Sequence, residues 1–510
     1  MTGEGRRRLA LQRMRWETQR MAPGEKVWRY RNTFAQGYLI TRGPTPMKPR
    51  EDWHTLQFGP WVVQCDSLLE RQMTAEGNLG VLVLGQAFDD AGARGRDRIA
   101  AKLLRVLTGA VGHDDAVSAI ALARSREALE EVISWLSGRY LVLISRGDTL
   151  DVYGDPIATR ICYWHIGNGR VALASHSALL ADLAGGLDVS RMRWVLRHPD
   201  YKSPAGKWLP GLITPHDGVG QLYANCRLEI SATNEVTHRR FFPRADRVEQ
   251  SEAEVFEVFR EELRRQVRNW ISVAPLTVLG LTAGGDSRAI LEAGLVDLQR
   301  ADAMAVTYHP FHMATKSTYE DYSAANRLAA AAGMRHLVLD VKPMSPDSQM
   351  ASLYGTTFPT WQRYSALVST MYGALPARAV TLFGVGGAII TGMIIDRSVK
   401  KLSAGLLARK YAHSKFADDP ELHTEFERWM DFTEFTPARL RGYDFYDYFH
   451  WEHRMSKWGA VGYSEYDLAT IPGPVLSSRR LLLAALSLPW EVRQAGDLYR
   501  SIRYENALAD

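Results

Sequence analysis

The sequence predicts an α/β protein in two parts: an N-terminal part of short strands packed as sheets, then a part built on a doubly wound parallel sheet. Three observations predict it. The chain has 510 residues, 46% hydrophobic and 23% charged, too long for one core and too apolar for a disordered, collagen-like or coiled-coil protein. Strand-like runs crowd its first half. Beyond Ser251 strand-like and helix-like segments alternate, the rhythm of a parallel sheet with crossover helices.

In chain order, Gly80 to Asp89 is an apolar strand ending at an acid, and Gly138 to Ser145 is another. Arg146-Gly147-Asp148 reads as a hairpin turn and Leu150 to Tyr153 as the return strand. Cys162 to Trp164 and Arg170 to Ser175 supply two more strands, with helices near 116–136 and 178–185. Ser251 starts an acidic first turn, and Val255, Phe259, Leu263, Val267 and Trp270 then fall on one helical face. Strands at Leu276–Leu281, Ala303–Tyr308, His336–Val341 and Ala379–Phe383 alternate with helices at Ser287–Leu295, Thr318–Ala332 and one ending before Arg378. From about 400 the chain reads as helical and aromatic-rich. The boundaries are placed at 1–75 for an N-terminal extension with the first strands, 76–245 for the sheet part, and 246–510 for the second part.

Lys+Arg 62 against Asp+Glu 57 leaves a net charge of +5, which makes no case for a nucleic-acid-coating surface. Arg6, Arg7, Arg8, Arg13, Arg15 and Arg20 form a basic stretch read as a solvated terminus. Cys65, Cys162 and Cys226 are sparse and contain no CxxC pair, which argues against a disulfide framework or zinc knuckle and fits a reducing compartment. The N-terminus has no apolar signal region. The longest uncharged run, between Arg378 and Asp396, is interrupted by Gly384, Gly386, Gly387 and Gly392 and falls short of a span of about 20 residues. A cytoplasmic protein without a membrane or nucleic-acid partner is expected.

The chemistry-bearing stretch is Leu276-Thr-Val-Leu-Gly-Leu-Thr-Ala-Gly-Gly-Asp-Ser-Arg288. An apolar strand runs into a turn of small residues, and a helix opens at once. Such a turn lets backbone close on a ligand, and its amides with the helix N-terminus present positive charge to an anion. Ser287 can donate to a phosphate oxygen. Asp286 repels phosphate unless a cation lies between, which points to Mg²⁺. Neither GxxxxGK[ST] nor GxGxxG occurs at this turn. The same residues also describe a tight turn in which Asp286 does no more than cap the helix.

Thr282–Ser287 resembles the SGGxDS pyrophosphate loop of the asparagine synthetase and β-lactam synthetase superfamily, which includes lasso-peptide cyclases, with Thr282 for Ser and Ala283 for the first Gly. Residues 80–185 resemble that superfamily's glutaminase-like domain through Leu136-Ser-Gly-Arg-Tyr-Leu-Val142, Asp155-Pro156 with Thr159-Arg160, and Ala172-Leu-Ala-Ser-His-Ser177. Leu209-Pro-Gly211, Thr214-Pro215 and Arg240-Phe-Phe-Pro243 resemble the linker before the synthetase domain. The resemblance implies an N-terminal Ntn-like (glutaminase-type) sheet domain and a C-terminal PP-loop ATP pyrophosphatase domain, of the adenine nucleotide α-hydrolase-like kind. Within that group the chain is most similar to asparagine-synthase-related proteins without glutaminase activity.

The resemblance further implies the chemistry of the site. In the superfamily the glutaminase nucleophile is a Cys directly after the initiator Met; here Thr2 stands after Met1, residues 1–75 precede the match, and Cys65 is internal, so glutamine hydrolysis is not expected. By the same resemblance ATP is held by Leu281, Thr282, Ala283, Gly284, Gly285, Asp286, Ser287 and Arg288, with Val306 beside the adenosine and Gly384, Gly386 and Gly387 in the second loop. That loop reads GxGxDE in the family. Here it is Phe383-Gly-Val-Gly-Gly-Ala-Ile389, leaving Asp286 as the metal carboxylate and Asp396 as the nearest acid in sequence to replace the lost one. Tyr443 to Trp458 resembles the family helix with an Asp-Arg-Met segment, His453 standing for Asp. Glu452 or His453 is the candidate base, with Arg454 beside them. His450 and His453 have no third ligand in sequence, so zinc is rejected. The family's later catalytic Lys has no match. These features predict an ATP- and Mg²⁺-dependent, AMP-forming amide ligase joining a small-molecule or peptide carboxylate to an amine. The alternative is a non-catalytic nucleotide-binding or interaction protein on the same fold.

Overall fold

The computed structural model describes residues 33–44, 50, 53–92, 98–108, 126–202, 208–360, 363–376 and 379–503. The basic stretch at Arg6–Arg20 and residues 116–125 of the helix expected near 116–136 lie outside them.

Two six-stranded antiparallel sheets form the first half. Its strands are β1 (Tyr38–Arg42), β2 (Trp53–Phe58), β3 (Trp61–Asp66), β4 (Arg71–Glu76), β5 (Leu79–Phe88), β6 (Ser137–Arg146), β7 (Thr149–Gly154), β8 (Tyr163–Gly167), β9 (Arg170–Ala174), β10 (Val219–Gln221), β11 (Cys226–Ile230) and β12 (Val236–Arg240). The first sheet runs β10-β8-β9-β1-β3-β2 and the second β12-β11-β7-β6-β5-β4. Period two explains the apolar runs seen in sequence. Leu82, Leu84, Leu141 and Leu143 point between the sheets with Tyr38, Ile40, Trp61 and Val63. Their neighbours Val81, Val83, Val142 and Ile144 point the other way, under the helices Ile99–Thr108 and Arg126–Ser134. The expected hairpin closes with Arg146 opposite Thr149 and Gly147 at φ 57°.

Within residues 1–75, β1 sits inside the first sheet, paired with β9 and β3.

The second half holds one parallel sheet: β13 (Thr277–Gly280), β14 (Met304–His309), β15 (Arg335–Asp340), β16 (Val380–Phe383) and β17 (Ile471–Pro474), ordered β15-β14-β13-β16-β17. Helices cover both faces: Leu279 and Ala305 pack with the helix Gly285–Arg300, whereas Val278 and Val306 pack with the helices Gln349–Thr357 and Ser365–Ala374. The doubly wound expectation therefore describes this sheet. Its fifth strand was not foreseen, since the chain from about 400 reads as helical; Pro472 and Pro474 are tolerated because β17 is an edge strand. The helix Glu252–Ile271 carries the Ser251–Glu254 capping box and buries Val255, Phe259, Leu263, Val267 and Trp270 completely. Trp270 meets Phe88 edge-on at 5.5 Å, so the two halves share a core.

Candidate functional site

Three parallel strands, β14, β13 and β16, end side by side, and β13 is flanked by the second strand on one side and the fourth on the other. That arrangement is a topological switch point, where open α/β sheets bind ligands. Beyond β13 the ladder continues to Leu281, the last residue of the strand expected from sequence. Leu281 N–H donates to the Val306 carbonyl (2.8 Å), and the Leu281 carbonyl accepts from Thr307 Oγ1 (2.7 Å). The Leu281 N–H and carbonyl are thus engaged by Val306 and Thr307, where the sequence placed them beside adenosine.

The turn itself is braced from within. Thr282 N–H donates to Ser287 Oγ (3.1 Å), Gly284 N–H to Thr282 Oγ1 (3.1 Å), and Ala283 N–H to the Asp321 carboxylate (3.0 Å). Ser287 Oγ donates back to turn carbonyls and is buried, so it is not the phosphate donor expected. Gly284 caps the 16-residue helix without a side-chain cap bond. The first-turn amides of Gly285, Asp286 and Ser287 therefore form the positive end of that helix. Arg288 leads away from the turn to Glu292 (2.6 Å).

Asp286 joins the two glycine turns. A Cβ on Gly384 would lie 2.7 Å from Asp286 Cβ, and one on Gly387 would lie 2.0 Å from its Cγ. These two positions must be glycine for the turns to meet, and Gly386, at φ 109°, opens the helix Gly387–Ile390. Tyr499 Oη donates to Asp286 Oδ1 (2.7 Å). Burial raises the Asp286 pKa, and the Tyr499 hydrogen bond opposes that rise. Among the described residues no three His, Cys, Asp or Glu side chains converge on a metal position. The exposed Asp396 is engaged by Lys410 and Ser398, each at 2.7 Å. The acids present do not form a magnesium cage, and Asp286 faces a tyrosine and a glycine.

The candidate base residues require correction. A continuous helix runs from Phe445 to Tyr466, with π-helical winding over His450–Gly459. Glu452, wholly buried, takes a bidentate pair from Arg240 (2.6 and 2.6 Å) and a bond from Asn225 (3.0 Å). His453 Nε2 accepts from Gly211 N–H (2.9 Å), and its ring stacks on Phe449 at 5.0 Å. Burial drives its pKa far down. Both side chains hold the helix against the N-terminal half, and neither faces a cleft.

Arg454 is only partly buried. Its guanidinium lies over Trp208 (4.8 Å) and Trp458 (5.1 Å), and Arg363 covers the same Trp458 ring (5.2 Å). Arg363 donates to the Trp458 carbonyl (3.2 Å) and Arg454 to Met393 Sδ (3.7 Å); among the described residues neither forms an ion pair with a carboxylate. Burial, with the charge of Arg363, pushes the Arg454 pKa down to about 10. Arg363 is held by its backbone: its N–H and that of Tyr364 donate to buried Glu465 (2.9 and 2.6 Å), which also accepts from Tyr354 Oη. Tyr364 stacks on Tyr466, and Tyr466 on Phe383 at the end of β16 (4.9 Å). Val385 of the second turn touches this helix at Gly459. Arg363, Asp321, Glu465 and Tyr499 were not read from sequence; they belong to no motif, and their partners are 38 to 213 residues away for Asp321 and Tyr499.

No family model and no curated protein matches the chain. Among solved structures, it is similar at 13% identity to a glutamine phosphoribosylpyrophosphate amidotransferase from B. subtilis complexed with ADP and GMP, with 75% of this chain and 72% of that chain covered and a TM-score of 0.21. It is similar at 12% identity to the allosteric regulatory enzyme of purine biosynthesis, covering 72% of each chain, again with a TM-score of 0.21. Superposition at that score is too slight to bear on function, which rests on the residues themselves.

Proposed function

We propose that the chain is an ATP-dependent, AMP-forming amide ligase of the asparagine-synthetase-like kind. In this reading residues 76–245 form a glutaminase-like domain that has no nucleophile, and 246–510 form a PP-loop domain. The carrying observation is the pair Arg363 and Arg454, two guanidinium groups that share the Trp458 ring and form no ion pair with a carboxylate among the described residues. Unpaired, half-buried cations of one sign are costly and suit an arriving polyanion. The first-turn amides of the helix Gly285–Arg300 hold phosphate oxygens. As a carboxylate attacks the α-phosphorus, charge grows on the departing pyrophosphate, and the two forked guanidiniums stabilise it there. Trp458 lies against both guanidiniums and Trp208 against that of Arg454. The amine then arrives as the free base, attacks the acyl carbon, displaces AMP and loses its extra proton to solvent, since Glu452 and His453 are otherwise engaged. Magnesium, carried in with the nucleotide, would screen the triphosphate. The substrate is a small-molecule or peptide carboxylate, and nucleic acid is not a partner. Glutamine is not the nitrogen donor: Cys65, Cys162 and Cys226 are all buried, and burial pushes the Cys65 thiol up to about 11.

A second reading, nucleotide binding without turnover, is favoured by the Asp286–Tyr499 bond and by Ala388 and Ile389 where the family carries acids. ATP–pyrophosphate exchange over a panel of carboxylates, paired with calorimetry of ATP binding, separates the two. The ligase reading expects exchange that Arg454→Ala slows by about 10²–10³-fold. Binding of ATP with no exchange supports the second reading, and absence of binding sinks both.

A further inference from the structure

A second cleft, of about 350 Å³, lies between the start of the long helix and the chain near Leu486–Arg493. It shares no residue with the glycine turns or with the Arg363–Arg454 pair. Tyr443, Phe445, Leu488 and Trp490 give it flat apolar walls. Its two acids are already spent: Asp444 pairs with Arg397 (2.8 Å), and Asp447 with Arg397 and Arg493 (2.5 Å each). Lys400 is exposed and forms no ion pair among the described residues. Arg247 is engaged at all three nitrogens: Nη1 on Glu249 (3.0 Å), Nε on the Leu486 carbonyl (2.9 Å) and Nη2 on the Ser487 carbonyl (3.0 Å). Arg247, Lys400 and Arg493 line the cleft, and Glu249, Asp444 and Asp447 answer Arg247, Arg397 and Arg493, so Lys400 is the charge left without an acid among the described residues. A cleft of this size, with apolar walls and one such cation, suits a flat ligand carrying one negative group.

The floor of the cleft also grips the segment just past the second glycine turn. Arg493 Nη1 donates to the carbonyls of Ile389 and Ile390 (3.2 Å each), and Trp490 Nε1 to that of Gly392 (3.0 Å). Arg397 Nε donates to the Ile394 carbonyl (2.8 Å). We infer that this cleft binds a small organic monoanion with a flat apolar body, an aromatic carboxylate in chemical class, and that its occupancy steadies residues 387–394, which press on Asp286. Ordering Trp490 and Arg493 restrains every carbonyl they hold, so local opening of that segment becomes rarer.

The test uses the full chain without nucleotide, so that its result is independent of any ligase activity. Naphthalene-2-carboxylate is titrated by calorimetry, with naphthalene-2-carboxamide as the neutral control, and amide hydrogen exchange is followed over residues 387–394. The carboxylate is expected to bind at one saturable site, about tenfold or more tighter than the carboxamide, and to slow exchange in that segment. Lys400→Glu, a change at an exposed position, is expected to weaken carboxylate binding by about tenfold or more while leaving the fold intact. The inference is overturned by any one of three results: no saturation up to about 5 mM, equal affinity for the two probes, or unchanged binding by Lys400→Glu. Saturable binding with unaltered exchange over 387–394 overturns the link to the turn.

Discussion

Glu465 shows how one carboxyl can set the charge of a site it does not enter. It is wholly buried and accepts from two backbone N–H groups and from Tyr354. Burial nonetheless outweighs those donors and pushes its pKa up to about 7. An acid whose folded pKa is raised contributes stability in full below its ordinary value of 4.5 and loses it as pH rises through about 7. The loss is on the order of 3 kcal/mol. Glu465→Gln cannot ionise, so wild-type stability should fall relative to that variant between pH 4.5 and pH 8 by roughly this amount. Denaturant unfolding at the two pH values measures it, and parallel pH profiles for the two proteins would refute the assignment. No residue of this cluster was legible in sequence. Arg454 was, because it sits in a family-like segment, whereas Arg363 gains its meaning from Glu465, 102 residues later.

At the scale of elements, the glycines of the second turn are set by what they touch. Gly384 approaches Asp286 Cβ and helix backbone, the latter with a Cβ contact of 3.3 Å to the Asp286 carbonyl carbon. Gly384→Ala should therefore destabilise by about 1–3 kcal/mol, since backbone must move. Gly355, within the helix Gln349–Thr357, has nothing within 4 Å of its Cβ position, so Gly355→Ala should stabilise by about 0.4–1 kcal/mol. Chemical denaturation of both variants checks the pair, and two effects of the same sign would contradict it. Such contacts mark the limit of legibility. The helix Glu252–Ile271 was readable because cap and period agree within twenty residues. The turns themselves were readable as glycine-rich. That Leu281 would be consumed by Val306, or Ser287 by its own turn, depends on backbone geometry that spacing does not encode. β17 escaped for a related reason: its prolines break the period by which strands are recognised.

Across the whole molecule, buried ion pairs bind the N-terminal sheets to the helix that carries Arg454. Arg139 of β6 makes a bidentate pair with Asp467 (2.5 and 2.7 Å), just past the end of that helix, and Arg240 of β12 does so with Glu452 within it. All four side chains are 3% exposed or less. A pair at that depth adds little net stability over an apolar isostere, yet losing one partner strands a charge. Its larger effect is on register, because a shift of the helix would break both pairs at once. Arg240→Ala should cost about 3–5 kcal/mol, and Arg240→Met combined with Glu452→Leu should cost far less than the two single changes summed. A double-mutant cycle by denaturant unfolding, read by tryptophan fluorescence and far-ultraviolet dichroism, measures that coupling. If Arg240→Ala costs less than about 1 kcal/mol, or if the two changes simply add, the helix is not anchored through this pair. Coincident transitions by both probes are also expected, because Trp270 and Phe88 belong to one core. Separated transitions would mean that the N-terminal sheets do not hold Arg454 in place.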